Sequence, residues 1–195
     1  MPIDPSSFHR QNVADTCAIW NVLSSKTLYY ASCSAGCSFC CTRFVNYECL
    51  HKPRKNVSSA DEELQRRLQE EQALGNFAPY NLDVQDLQEI AIIEKRMRLS
   101  KGELSSIAFA QKTRQAFLTD DQKARKLASG IIEPAMVQTT PHLFGWLHFH
   151  WHLTDGDKDA VIAEHESLKR PLAGQFECMY QEALRYRLMA GSGGP

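Results

Sequence analysis

The chain has almost no net charge, no long apolar run and no leader-like start, and each lack removes a class of function. A formal net charge of −1 gives no overall field to draw the protein onto nucleic acid or an anionic membrane, so any phosphate binding must be local. No apolar run approaches the ~18 residues that a membrane span requires. The opening MPIDPSSFHRQN also lacks the charged-then-apolar order of a secretory leader. A cytoplasmic protein with no membrane partner is expected. Internal repeats and long low-complexity segments are missing too. The cysteines fit a disulfide framework poorly, because seven is an odd count and five of them crowd between Cys33 and Cys49; reduced thiols are expected.

What is present suits a compact fold. With 43% hydrophobic and 23% charged residues over 195 positions, the chain can build one domain with an appended element. NVADTCAIW reads as a strand and NVLSSKTLYYASCSAG as a helix. CSFCC then reads as a buried strand, and TRFVNYECLH as a helix stopped by Pro53. Residues 56 to 75 form a charged helix with a start signal at Ser58 or Ser59 and a stop at Gly75. FAPYNL is an edge strand or loop, DVQDLQEIAIIEKRMR a helix, SKGELSSIAFAQKTR another, QAFLTDD a short strand, and QKARKLASG a helix closed by Gly130. IIEPAMVQTT is strand-like, HLFGWLHFHWHL helical, and Asp155 to Met189 one or two helices interrupted near Pro171. Strands alternating with helices predict an α/β fold with a parallel sheet covered on both faces, whose ligands bind beyond the carboxyl ends of the strands. Asp15 and Asp121 fall at such ends.

In a helix starting near Thr42, the core-facing positions run Cys41, Phe44, Val45, Glu48 and Cys49. A carboxylate in that slot needs a partner, and a metal ion compensates several such groups together. At the helix margin Glu48 would instead reach solvent. Two roles compete for Glu103, which stands on an apolar stripe with Ile107 and Ala110 and also completes a capping box with Ser100. One of Asp120 and Asp121 is expected to cap the helix that follows.

Taken in order, VADTCAIWNVL, T-R-F-V-N-Y-E, KGELSSIAFA and LTDDQKARKLA resemble the motifs of the PIN-domain (VapC-like) nucleases. The likeness runs from Asn12 to Ala128, continues through QTTPHLFGWL, and covers the first three quarters of the chain. The resemblance implies a three-layer α/β/α nuclease domain over residues 1–153; the cysteine-rich entry to the second helix, the charged helix around residues 60 to 73 and the C-terminal part, read as a helical extension over 154–190 and a flexible tail over 191–195, depart from the family's pattern. It makes Asp15, Glu48, Glu103 and Asp121 the catalytic and metal-holding acids, with Asp120 a cap or auxiliary ligand and Thr16 and Thr119 orienting the site. Mg²⁺ or Mn²⁺ is the implied cofactor, since hard oxygen ligands suit those ions and they activate water for phosphodiester hydrolysis. RNA is the implied substrate, with single-stranded or structured DNA as the alternative and an inactive nucleic-acid-binding module as a further one. The implied partners are an antitoxin or a larger nuclease system, or a second copy in a homodimer. Arg43, Lys52, Arg54, Lys101, Lys123 and Arg125, with Lys55, Lys95, Arg96, Arg98 and Lys126 nearby in sequence, are placed to guide a phosphate backbone or simply form solvated helix faces.

Two other clusters compete. Cys33, Cys37 and Cys40 have the C-x3-C-x2-C spacing of radical-SAM enzymes, which would make the chain an iron-sulfur redox enzyme, but a strand across them sends successive side chains apart. His148, His150 and His152 would share one face of a strand, whereas in a helix they diverge and leave Leu143, Leu147, Phe149 and Trp151 to pack.

Overall fold

The computed structural model describes residues 4–54, 56–83 and 100–191. Five parallel strands form one sheet: β1 (Gln11–Ala14), β2 (Ser38–Thr42), β3 (Ala78–Tyr80), β4 (Ala116–Leu118) and β5 (Val137–Gln138), in the order β3-β2-β1-β4-β5. Parallel neighbours need crossover connections, which helices supply. Helices α1 (Thr16–Ser24) and α2 (Lys26–Ser34) join β1 to β2, and α3 (Arg43–Leu50) and α4 (Ser59–Ala73) lie between β2 and β3. Next come α5 (Lys101–Thr113) before β4 and α6 (Gln122–Ala128) after it, then α7 (Thr140–Phe149), α8 (Asp155–Ser167) and α9 (Ala173–Gly191). The expected helix DVQDLQEIAIIEKRMR lies, apart from Asp83, outside the described residues, as do Lys55, Lys95, Arg96, Arg98 and the tail beyond Gly191.

Alternation along the strands divides the core in two. Val13 pairs with Phe117, and Ala14 with Leu118. Val13 and Phe117 pack with Ile107, Ala110, Ala124 and Ala128 of α5 and α6. Ala14 and Leu118 face the other way, into a larger cluster that includes Ile19, Leu28, Val45, Leu68, Leu143, Val161 and Phe176. Both faces of the sheet are therefore apolar and flanked by helices, as a parallel sheet requires. The C-terminal helices contribute to this second cluster, and at Gly145 an added Cβ would lie 2.8 Å from Met179 Cε, so α7 and α9 approach closely.

Local chemistry sets the boundaries. The CAIW segment joins a helix instead of prolonging β1, because Asp15 breaks the strand and caps Ala18 N at 2.8 Å. One expected helix is two: Ser25 takes an extended conformation and its hydroxyl caps Leu28 N at 2.9 Å. Ser58 and Asp61 form a capping box at the start of α4, and Gly75 adopts φ +89° just past its end. The strand β5 is shorter than the sequence suggests because Pro134 opens a 3-10 turn, Pro134–Met136. The tail does split near Pro171 into α8 and α9.

Candidate active site

The chain leaves β1 toward β2 and β3 on one side, then returns to place β4 on the other. The order therefore reverses between β1 and β4, and it is beyond the carboxyl ends of the strands at such a point that open α/β sheets bind ligands. Asp15 follows β1 there, and Thr119 and Asp120 follow β4.

Asp15 is 1% exposed. One carboxylate oxygen accepts from Ala18 N at 2.8 Å, and the other accepts from the Thr119 hydroxyl. Thr119 Oγ1 in turn accepts from Asp121 N at 3.1 Å, so the hydroxyl links the ends of both strands. Burial pushes the Asp15 carboxyl up to about 7; the Thr119 and Ala18 hydrogen bonds oppose the rise, and the charges of Asp120 and Glu103 add to it. Both acids therefore lie close enough for their charge to be felt at Asp15.

The Asp pair after β4 divides its duties. Asp120 turns toward α1 and α7, accepting from Asn21 Nδ2 at 2.7 Å, from Thr140 N at 2.9 Å and from the Thr140 hydroxyl at 2.6 Å. Asp121 turns the other way and caps α6, accepting from Lys123 N and Ala124 N at 2.8 Å each. Asp120 is thus tied to α1 and α7, and the helix cap expected of one member of the pair falls to one oxygen of Asp121.

Glu48 is half-buried. It accepts from the Thr16 hydroxyl at 2.8 Å and from Gly102 N at 3.3 Å. Thr16 follows Asp15 and Gly102 precedes Glu103, so these bonds draw three sequence-distant acids to one edge of the sheet. Glu103 itself is engaged as a cap, accepting from Ser100 N at 2.7 Å. Compensation comes from helix termini: the first turns of α1, α7 and α5 offer N–H groups to Asp15, Asp120 and Glu48, where unsatisfied donors and the helix dipole favour negative charge.

Gly102 was not legible as a site residue, yet a Cβ there would lie 2.8 Å from Glu48 Cδ. Asn21 and Thr140 were likewise missed. A polar Asn in the apolar face of α1 was the available signal for the first, while nothing in the sequence marks the second. Gly102→Ala should leave the melting temperature near wild type, because helix propensity favours Ala and the obstructing group is the end of a flexible side chain. It should lower any carboxylate-dependent activity about 10- to 100-fold, as loss of a group that orients a metal ligand does. Unchanged turnover would show that the Glu48 carboxylate has no role.

The expected cations separate by environment. Arg54 is committed to the fold: it pairs with Asp61 at 3.4 Å, donates to the Glu48 carbonyl at 3.3 Å and lies 5.8 Å over the Trp20 ring. Arg43, Lys52, Lys101 and Lys123 are exposed. Arg125 and Lys126 line a separate cavity with His142 and Thr139 on the β5 side. Cys17, beside Asp15 and Asp120, has its thiol pushed up to about 12 by burial and then by those two charges, so it stays protonated at neutral pH and is a poor nucleophile.

Of the competing clusters, Cys41 is buried and approaches Phe77 O, Cys40 turns to Gln115, and Cys33 is exposed. His148 is buried between the rings of Phe144 and Tyr180, and His150 reaches Ser6 O at 3.0 Å. Among the described residues no group of three or more His, Cys, Asp or Glu side chains is arranged to hold a metal ion. In donor chemistry the carboxylate edge fits a hard divalent cation: it is all oxygen, and its most buried acid has its carboxyl raised by burial and by two like charges. In arrangement, the acids are turned to hydrogen bonds within the protein and are not gathered on one point. Among the described residues no helix is long and apolar enough to cross a membrane. Compared with known proteins, the chain matches no family model, no curated protein and no solved structure.

Proposed function

We propose that the chain is a PIN-type metal-dependent endonuclease that hydrolyses phosphodiester bonds in RNA, with Asp15, Glu48, Glu103 and Asp120 as its acids. The observation that supports it is that hydrogen bonds from Thr16 and Gly102 N to Glu48 draw the segments of Asp15, Glu48 and Glu103 to the edge of a parallel sheet at its switch point, where Asp120 follows β4. Mg²⁺ or Mn²⁺ held by these acids would supply charge for the scissile phosphate and lower the pKa of water. The chain's own residues do the positioning. Thr119 and Ala18 N fix the orientation of the Asp15 carboxylate, Asn21 and Thr140 fix Asp120, and Thr16 with Gly102 N fixes Glu48.

The capping of Ser100 by Glu103 and the dispersed arrangement of the acids favour a second reading, a nucleic-acid-binding module without cleavage. Labelled single-stranded RNA and DNA incubated with the purified chain in Mg²⁺, Mn²⁺ or EDTA separate the two. Internal cleavage of RNA that stops in EDTA is the expected result. Binding with no cleavage across a titration of either ion would favour the module.

A further inference from the structure

We propose that the cavity beside Glu48 is a subsite for one unpaired nucleotide of a single-stranded RNA, with the base against Tyr47 and the phosphates against Arg43, Lys52 and Lys101. It rests on the nuclease reading for its meaning as a substrate site, since Glu48 is a wall of the cavity and also belongs to the acid edge.

The cavity measures about 580 Å³ and is lined by Arg43, Phe44, Tyr47, Glu48, Lys52 and Lys101, among others. That size lies within the range of pockets that enclose a small molecule. Arg43 and Tyr47 are four residues apart on α3, as are Phe44 and Glu48, so each pair shares a helix face. Lys101 is the first residue of α5 and faces them from across the cavity. Tyr47 is 51% exposed, so its ring is available for stacking. None of Arg43, Lys52 and Lys101 forms an ion pair with another described residue. Two aromatic rings and three uncommitted cations in one concavity match the two parts of a nucleotide. Any base can stack on an aromatic face, and Lys and Arg neutralise phosphates. A duplex does not fit, because its bases are stacked inside and present no free face to Tyr47. The location also answers a problem of the acid edge. A polyanion is repelled by Asp15, Asp120 and Glu103, and cations immediately beyond Glu48 offset that repulsion where the strand must pass.

Binding of a short labelled single-stranded RNA, measured by fluorescence anisotropy with the full chain in EDTA, tests the subsite without cleavage intruding. Tyr47→Ala should weaken binding about 10- to 100-fold, the loss of one base-aromatic stack, and Tyr47→Trp should keep it. Placing an abasic residue at each position of the oligomer in turn should reveal one position at which Tyr47→Ala no longer matters. Replacing Arg43, Lys52 or Lys101 by Ala should each reduce the slope of affinity against salt by about 0.7. Equal affinity of wild type and Tyr47→Ala, equal losses on duplex and abasic RNA, or failure of the wild-type chain to bind any single-stranded oligomer would overturn the subsite. These results are distinct from failure of the nuclease reading, which shows as intact Tyr47-dependent binding with no cleavage in Mg²⁺ or Mn²⁺.

Discussion

Asp15→Asn and Asp120→Asn should each reduce metal-dependent RNA cleavage about 100- to 1000-fold, the scale on which a group stabilising the reacting charge is lost. Asp121→Ala should leave cleavage near the wild-type rate and cost about 1 kcal/mol of stability, the value of a helix N-cap. The two neighbouring aspartates are thus expected to differ sharply. Asp121 spends one oxygen on the first turn of α6, whereas the charge of Asp120, held by Asn21 and Thr140, acts on Asp15. Asp120→Asn carries a structural cost of its own, because one orientation of the new amide opposes Asn21 Nδ2 and the other opposes Thr140 N. Asn21→Ala, which removes a donor without touching a carboxylate, measures that cost separately. Melting curves run beside the kinetics distinguish an unfolded variant from a folded, inactive one. Full activity in Asp120→Asn together with loss in Asp121→Ala would return the fourth position to Asp121.

The fold was legible wherever a short local signal sets it. Strand β2, helix α3, the capping boxes of α4 and α5, and the break near Pro171 all follow from spacing, caps and proline. The strand-helix boundary at Asp15 was not, since CAIW is apolar enough for either state and only the cap on Ala18 N decides it. Within the site, Glu48 on α3 could be marked from periodicity, because a carboxylate in a core-facing slot is unusual, and Asp15 from its place at the end of a strand. Periodicity could not assign the Asp pair after β4. Two adjacent residues at a turn point in directions fixed by tertiary partners, here Asn21 and Thr140 for one and the α6 terminus for the other. Gly102 was hidden for a related reason: a glycine inside a helix carries no signal of what approaches it, and the approach of Glu48 is visible only in three dimensions. The C-terminal helices also act on the site indirectly. His165 of α8 is buried and contacts Asn21 O at 2.7 Å, bracing the residue that orients Asp120.

Relative to Asp15→Asn, the ion-free wild type should lose stability as pH rises from 5 to 8, and Mg²⁺ or Mn²⁺ should restore it. Asp15 carries a carboxyl pushed up from 3.8 to about 7 in the folded chain. Between those values the folded state holds a proton that the unfolded state has lost, so the folded state binds more protons and stability declines with pH. The decline is complete above the folded value and amounts to on the order of 4 kcal/mol if Asp15 acts alone. His142, His148 and His165 act in the opposite sense, because burial lowers each of them and the unfolded state then binds the extra proton. The Asp15 contribution is therefore read as the difference between wild type and Asp15→Asn, in which the three histidines cancel. That difference should favour the variant increasingly toward pH 8. At pH 8 a divalent ion would replace the missing positive charge beside Asp15, and at pH 5 it must displace a proton first. Millimolar Mn²⁺ should accordingly raise the melting temperature of wild type more at pH 8 than at pH 5, and should raise that of Asp15→Asn little at either. An equal rise at both pH values, or the same rise in the variant, would place the ion somewhere other than Asp15 and remove the carboxylate edge as its site.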